Sequence, residues 1–410
     1  MPNQFLSPEG DLENYFITEY WLIDQYVGDT LWAWGHNYAG QLGDNTTTTQ
    51  KSTPVTTFAG GTNWKQVACG QGFAAAIKTD GTLWTWGNNS SGKLGHNTII
   101  NRSTPVTTFA GGTNWKQVAC AFGAFAAAIK TDGTLWTWGN NANYGALGTN
   151  DIITRSTPVT TFAGGTNWKQ VSCGAVHAAA IKTDGTLWTW GYNGEGALGT
   201  NDIITRSTPV TTFAGGTNWK QVSCGDWYTA AIKTDGTLWT WGRNGTAQLG
   251  TNNIITRSTP VTTFAGGNNW KQVSCGKGNY GGGSGSEGHI AAIKTDGTLW
   301  TWGRNNTNGQ LGDNTMITRS TPVTTFAGGT NWKQVSCGQF YTAAIKTDGT
   351  LWTWGGNSYA QLGINIGGNA NFRCTPVTTF AGGTNWKQVA GNERFTIAIT
   401  SGTDPTFFIA

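Results

Sequence analysis

Residues 73–87 read Phe73-Ala74-Ala75-Ala76-Ile77-Lys78-Thr79-Asp80-Gly81-Thr82-Leu83-Trp84-Thr85-Trp86-Gly87. Two strand-like runs flank Asp80-Gly81, and an Asp-Gly pair in that setting predicts a hairpin, because a type I′ turn needs positive φ at both central residues. The arrangement returns at Asp132-Gly133, Asp184-Gly185, Asp235-Gly236, Asp296-Gly297 and Asp348-Gly349. Working outward, Leu-Trp-x-Trp-Gly begins at Leu31, Leu83, Leu135, Leu187, Leu238, Leu299 and Leu351, at intervals of 52, 52, 52, 51, 61 and 52; one insertion explains the long interval. Each copy is followed by Thr-Pro-Val (Pro54, Pro105, Pro158, Pro209, Pro260, Pro322, Pro376) and then by Asn-Trp-Lys-Gln-Val (Trp64, Trp115, Trp168, Trp219, Trp270, Trp332, Trp386). These motifs hold 21 of the 23 tryptophans, so the tryptophan content belongs to the repeat.

Each unit reads as four short strands: Leu-Trp-Thr-Trp, Pro-Val-Thr-Thr-Phe, Trp-Lys-Gln-Val-Ser-Cys and Ala-Ala-Ile-Lys. Alternation and β-branched or aromatic content support all four, and no helical period competes. A four-stranded unit of about 40–50 residues is a propeller blade. The expected fold is all-β, a seven-bladed β-propeller with four antiparallel strands per blade. The last strand, near residues 396–400, lacks a successor and the first, 31–34, lacks a predecessor, so the two are expected to pair and close the ring, removing an open edge. The alternative is closure by a hairpin of Tyr20–Val27 with Leu31–Trp34. The chain then divides into an arm (1–28), a propeller (29–400) and a tail (401–410).

The motifs Leu-Trp-x-Trp-Gly-x-Asn, Gln41-Leu42-Gly43 with its copies, Pro-Val, and Val-Ser-Cys-Gly with Ala-Ile-Lys-Thr-Asp-Gly resemble the regulator of chromosome condensation repeat family over residues 29–400. The resemblance implies the seven-bladed ring. The family spans chromatin-bound exchange factors, secreted enzyme inhibitors and bacterial and viral propellers, and this chain lacks the basic tail of the chromatin-binding members. Its near-identical copies, Thr/Asn-rich surface and lack of a signal peptide resemble virion proteins of tailed bacteriophages, in the style of those of marine cyanobacteria. That resemblance implies a non-enzymatic tail or capsid component located in the virion, with other virion proteins or a host surface protein or glycan as partners and homo-oligomers among its assemblies. The alternative is a soluble inhibitor or regulator that covers a partner enzyme.

Composition narrows the chemistry. Lys+Arg 25 against Asp+Glu 21 gives a net charge of +4, with no electrostatic footprint for nucleic acid. No apolar run approaches the roughly 18 residues of a membrane span, and the first basic residue is Lys51, which argues against a secretory signal. Cys69, Cys120, Cys173, Cys224, Cys275 and Cys337 share one repeat position in different blades, too far apart for disulfides, and read as free thiols in a small apolar slot; Cys374 replaces a motif serine. His36, His96, His177 and His289 show no metal-ligand spacing and read as surface or loop residues. The lysines before Thr-Asp-Gly read as architecture, each near an aspartate of opposite sign. No catalytic signature occurs, so no catalytic residue, metal site or cofactor is expected. Trp84, Trp86 and their copies read as core between blades rather than a carbohydrate platform.

Disagreement among copies locates a candidate site. The Ala-Gly-Gly-Thr-Asn and Thr-Asp-Gly turns hardly vary, whereas the segments after Trp-Gly and after Val-Ser-Cys vary in sequence and length. Four alternating strands place the two constant turns at one end of the ring and the two variable segments at the other. Phe73, Phe125, His177, Trp227, Tyr228, Tyr280, Phe340, Tyr341 and Phe395 are the candidate binding residues of the variable end, with Trp227 foremost; aromatic rings beside Asn, Gly and Ser resemble a paratope, or else they plug the channel. The arm carries Glu9, Asp11, Glu13, Glu19 and Asp24, no basic residue, and Phe5, Tyr15, Phe16, Tyr20 and Trp21 as candidate assembly residues; it is expected either to pack across the propeller's side or to dock on a partner subunit. A short helix capped at Ser7-Pro8 is expected within 7–17.

Overall fold

The computed structural model describes residues 28–277, 288–367 and 371–402. The expected arm helix, the alternative closing strand Tyr20–Val27, the assembly residues Phe5, Tyr15, Phe16, Tyr20 and Trp21, and Tyr280 lie outside them. The described residues form twenty-eight strands and no helix, arranged as seven antiparallel four-stranded sheets. Blade one comprises β3 (Trp64–Gly70), β4 (Phe73–Lys78), β5 (Leu83–Gly87) and β6 (Arg102–Thr107), and five blades repeat that order. Blade seven joins β27 (Trp386–Gly391) and β28 (Phe395–Thr400) to β1 (Thr30–His36) and β2 (Gln50–Thr56). Thr30 lies opposite Thr400 and Gly35 opposite Phe395, so both ends of the repeat region close one sheet, as the strand count requires.

The repeated residues bind blade to blade. The first strand of each blade is the innermost, and its glutamine reaches the free edge of the next blade's first strand. Gln221 Nε2 donates to the Val273 carbonyl at 3.1 Å while Gln221 Oε1 accepts from the Val273 N–H at 3.0 Å. Gln117 makes the same pair of bonds to Val171, and Gln334 to Val389. At the seam between blades seven and one, Gln388 accepts from the Val67 N–H at 3.3 Å. A side-chain amide thereby completes an otherwise unpaired strand edge.

The tryptophans form a second linkage. The second Trp of Leu-Trp-x-Trp-Gly is fully buried and donates its indole N–H to the preceding blade: Trp86 to the Gln41 carbonyl, Trp138 to Lys93, Trp34 to Gln361. This contact explains the Gln-Leu-Gly motif. Gly43 has φ +70°, and a Cβ there would lie 2.8 Å from the Trp86 indole nitrogen. The motif asparagine pins the same loop, with Asn89 Oδ1 accepting from the Leu94 N–H at 2.9 Å.

Two details differ from the sequence expectations and a third is refined. The Asp-Gly hairpin is not type I′: only Gly81 has positive φ, the Gly81 N–H donates to the Lys78 carbonyl at 3.0 Å, and the Lys78 N–H to that of Thr82 at 3.1 Å. This is a three-residue loop whose last residue is left-handed, and Asp80 stabilises it by accepting from the Thr82 N–H and hydroxyl. Those two bonds, backbone first, hold the Asp80 carboxyl below the usual carboxylate range. Lys78 stands near enough for its charge to add to that lowering, but it makes no ion pair with Asp80 and lies over the Trp64 and Trp84 rings, 4.7 Å from each centroid. Finally, Phe58 and Phe109 fall beyond the ends of β2 and β6 and are each 66% exposed, so this ring of Pro-Val-Thr-Thr-Phe is not part of a core strand.

Candidate partner-binding face

The connections between the first and second strands and between the third and fourth strands share the variable end of the ring. The structure divides the aromatic candidates by one residue of register. Phe73, Phe125, His177, Tyr228, Tyr341 and Phe395 are the first residues of the second strands, and all are buried. They are corrected from exposed tips to packed plugs, because Trp-Gly lies opposite: Gly87 pairs with Phe73, and a Cβ on Gly87 would come within 2.7 Å of the Phe73 Cα. His177 and His289 occupy this position too and are fully buried, not surface residues. His177 Nε2 is 2.9 Å from Thr229 Oγ1, and His289 Nε2 is 2.8 Å from Thr342 Oγ1. The Tyr228 hydroxyl donates to the Gly276 carbonyl at 2.7 Å, and that of Tyr341 to Phe395 at 2.6 Å. These side chains tie neighbouring blades together.

The true tips lie one residue earlier in each copy. Trp227 and Phe340 are half-buried there, and each carries an arginine: Arg243 lies 4.8 Å from the Trp227 ring centroid and Arg304 5.4 Å from that of Phe340. A third pair, Arg394 over Tyr359 at 4.4 Å, sits at blades six and seven. Trp227 also packs with Tyr144 and Tyr192 against Phe122, Ala175 and Val176, an apolar cluster confined to this end. Lys277 of blade five reaches blade two, donating to the Cys120 carbonyl at 2.8 Å across the channel.

A cleft of about 400 Å³ opens at the seam of blades seven and one, lined by His36, Tyr38, Gln71, Lys93, Glu393 and Arg394 among others. Lys93 stands where other copies of Gln-Leu-Gly carry Gln or Ala, and only 3% of it is exposed. Its ammonium donates to the Gln71 carbonyl at 3.1 Å and lies over the Phe73 ring. Burial pushes its pKa down to about 8, opposed by the Glu393 charge. Burial likewise raises the Glu393 carboxyl, against Arg394 at 3.0 Å and Lys93. His36 is pushed down to about 4 by burial and then by Arg394. Sequence reading missed Lys93, Glu393 and Arg394, although the lone cation in a Gln/Ala column was a visible signal.

The arrangement offers charge, stacked arginine and a cleft at one end, and the described residues contain no cluster of three or more metal-ligating side chains. The six thiols of the common cysteine position are free and buried; burial pushes Cys224 and Cys337 up to about 12, which suits packing rather than nucleophilic chemistry.

Fold and face together define a closed propeller of the repeat type, and comparison with known proteins supplies the family. The profile of the RCC1-like domain matches residues 26–279 and again 143–406, and the chain belongs to that family. It is 31% identical to the ultraviolet-B receptor UVR8 of Arabidopsis thaliana over 352 residues, 84% of this chain and 77% of the receptor. It is 27% identical to the mitochondrial RCC1 domain-containing protein RUG3 of the same plant, across 76% of this chain and 69% of that protein. Among solved structures, Prp20p from Saccharomyces cerevisiae, characterised for binding to Gsp1p and histones, superposes with a TM-score of 0.77 at 18% identity, covering 94% of this chain and 95% of that one.

Proposed function

We propose that this protein is a non-enzymatic binding and regulatory protein that engages a protein partner through the variable end of its ring. The observation that carries this reading is the set of arginine–aromatic pairs Trp227/Arg243, Phe340/Arg304 and Tyr359/Arg394, half-buried at one end of a chain with only 11% charged residues. Trp, Tyr and Arg dominate interface hot spots because they combine large contact area with directional hydrogen bonding. The other blades close without such a pair, although Trp227 itself also packs with Tyr144 and Tyr192. Relatives with the same fold bind proteins, Gsp1p and histones in the case of Prp20p, which supports regulation by protein contact. The virion role implied by the repeat style draws no support from the relatives named above, and the regulator reading takes its place.

The test is affinity capture from the source cells with the wild-type chain and with the variant Trp227→Ala/Arg243→Ala/Arg304→Ala. A partner held by the wild type and lost by the variant, at unchanged melting temperature, supports the reading. Equal recovery by both chains overturns it.

A further inference from the structure

The invariant end has a surface that the proposed function does not use. In every blade the first strand carries a bulge between its Trp and Gln, so that Trp64 lies opposite Lys78 while Gln66 lies opposite Ile77. The bulged residue is Lys65, repeated at Lys116, Lys169, Lys220, Lys271, Lys333 and Lys387, and all seven are exposed. These are the innermost strands, so the lysines form a ring at the channel mouth. Farther out, on the connections from fourth to first strands, lie seven phenylalanines: Phe58 and five copies are 65–66% exposed and Phe380 is 52% exposed. Large apolar side chains exposed in a concentric set mark a contact surface. Counting the lysines clasped by tryptophan, this end holds thirteen lysines against seven aspartates, Asp29 included.

Residues 1–27 have the complementary chemistry. They contain Glu9, Asp11, Glu13, Glu19 and Asp24, no Lys or Arg, and six aromatic rings, from Phe5 to Tyr26. The chain enters the propeller at this same end: the Asp29 N–H donates to the Thr62 carbonyl at 2.7 Å, beside the Asn63 bridge. Asp29, the first acidic residue of the described chain, already ion-pairs with ring lysine Lys387. Among the described residues the other six ring lysines have no ion pair. Twenty-seven residues reach roughly 90 Å when extended, against a ring about 50 Å across by the scaling of compact domains.

We propose that residues 1–27 dock on the invariant end of their own ring, placing acidic side chains over the lysine ring and aromatic side chains on the phenylalanines. The segment continues the contact that Asp29 begins. Docking covers those phenylalanines that the segment reaches and leaves the variable end free for a partner.

The test is zero-length carbodiimide cross-linking of the full-length chain, followed by mass spectrometry. Ring lysines are distinguishable because the sequence after each differs, Gln-Val-Ala-Cys-Gly-Gln after Lys65 and Gln-Val-Ser-Cys-Gly-Ala after Lys169. A mixture of isotopically light and heavy chains separates links within one chain from links between two. The expected result is amide links from Glu9, Asp11, Glu13, Glu19 or Asp24 to ring lysines within one chain, at a yield that falls roughly threefold or more in 1 M salt because the attraction is screened. Lys116→Gln/Lys169→Gln/Lys220→Gln, which alters exposed side chains only, should redirect links to the remaining ring lysines. Links confined to variable-end lysines such as Lys51, links only between light and heavy chains, or no links from the segment would each overturn the proposal.

Discussion

Replacing Gln221 with leucine removes one blade-to-blade clasp and leaves the rest of the ring unchanged. The substitution keeps side-chain volume close to native and deletes both hydrogen bonds to Val273, at 3.1 and 3.0 Å. A net contribution of about 0.5–1.5 kcal/mol per bond gives a loss of about 1–3 kcal/mol, with more wherever water from the channel fails to reach the orphaned Val273 groups. Equilibrium urea unfolding, followed by tryptophan fluorescence, measures that loss. Gln388→Leu should cost less, because the Gln388 bond to Val67 is the longest of its kind at 3.3 Å. Gln221→Glu keeps the acceptor for the Val273 N–H but turns an oxygen towards the Val273 carbonyl. It should therefore destabilise at neutral pH and recover in part below its carboxyl pKa, where the protonated acid donates again. Leucine variants within about 0.5 kcal/mol of wild type, the scatter of neutral surface substitutions, would refute the view that the glutamine ring holds the blades together.

Further outcomes follow from burial. In native protein Ellman's reagent should label Cys374, which is partly exposed, well before the six buried thiols, which should react only on unfolding; rapid labelling of all seven would contradict the packing. His177 and His289 are held neutral by burial, their pKa values pushed down to about 4 and about 3. The unfolded chain, titrating near 6.5, binds more protons between those values, so the stability these residues contribute is present above that pH and is lost as pH falls towards the folded values, by a few kcal/mol. Urea midpoints should show that slope, and His177→Phe/His289→Phe, which installs the ring that blades one and two use, should make it shallower; an unchanged slope would assign it to His36, His96 and the carboxylates. Tyr341→Ala should lower stability by about 3–5 kcal/mol, as for other buried aromatic truncations, and clearly more than Trp227→Ala; the reverse order in calorimetry would exchange the assignments of plug and tip.

Seven nearly identical copies made the fold legible, since each motif marks one strand and the count fixes the blades. The ends of the strands were less legible. Aromatic residues after Val-Ser-Cys look like loop tips, but strand period two makes a single residue decide between core and solvent: Tyr228 is buried while Trp227 beside it is half-buried. Asp80-Gly81 identified a hairpin correctly without identifying its turn, because type I with a left-handed third residue uses the same pair. The sequence places Lys78 near Asp80, and only the fold shows that the Trp64 and Trp84 rings hold its ammonium. Lys93, Glu393 and Arg394 come from blades one and seven, residues about 300 apart in sequence. Only closure of the ring brings them to one cleft.

The most direct test of the central claim is hydrogen exchange of the captured complex against the free chain. Binding at the variable end predicts slowed exchange in 225–228, 243–247, 304–309, 338–341 and 392–395, with the Thr-Asp-Gly turns unchanged. Protection confined to those turns and to the Ala-Gly-Gly-Thr-Asn connections would contradict the account and move the partner to the opposite end of the ring.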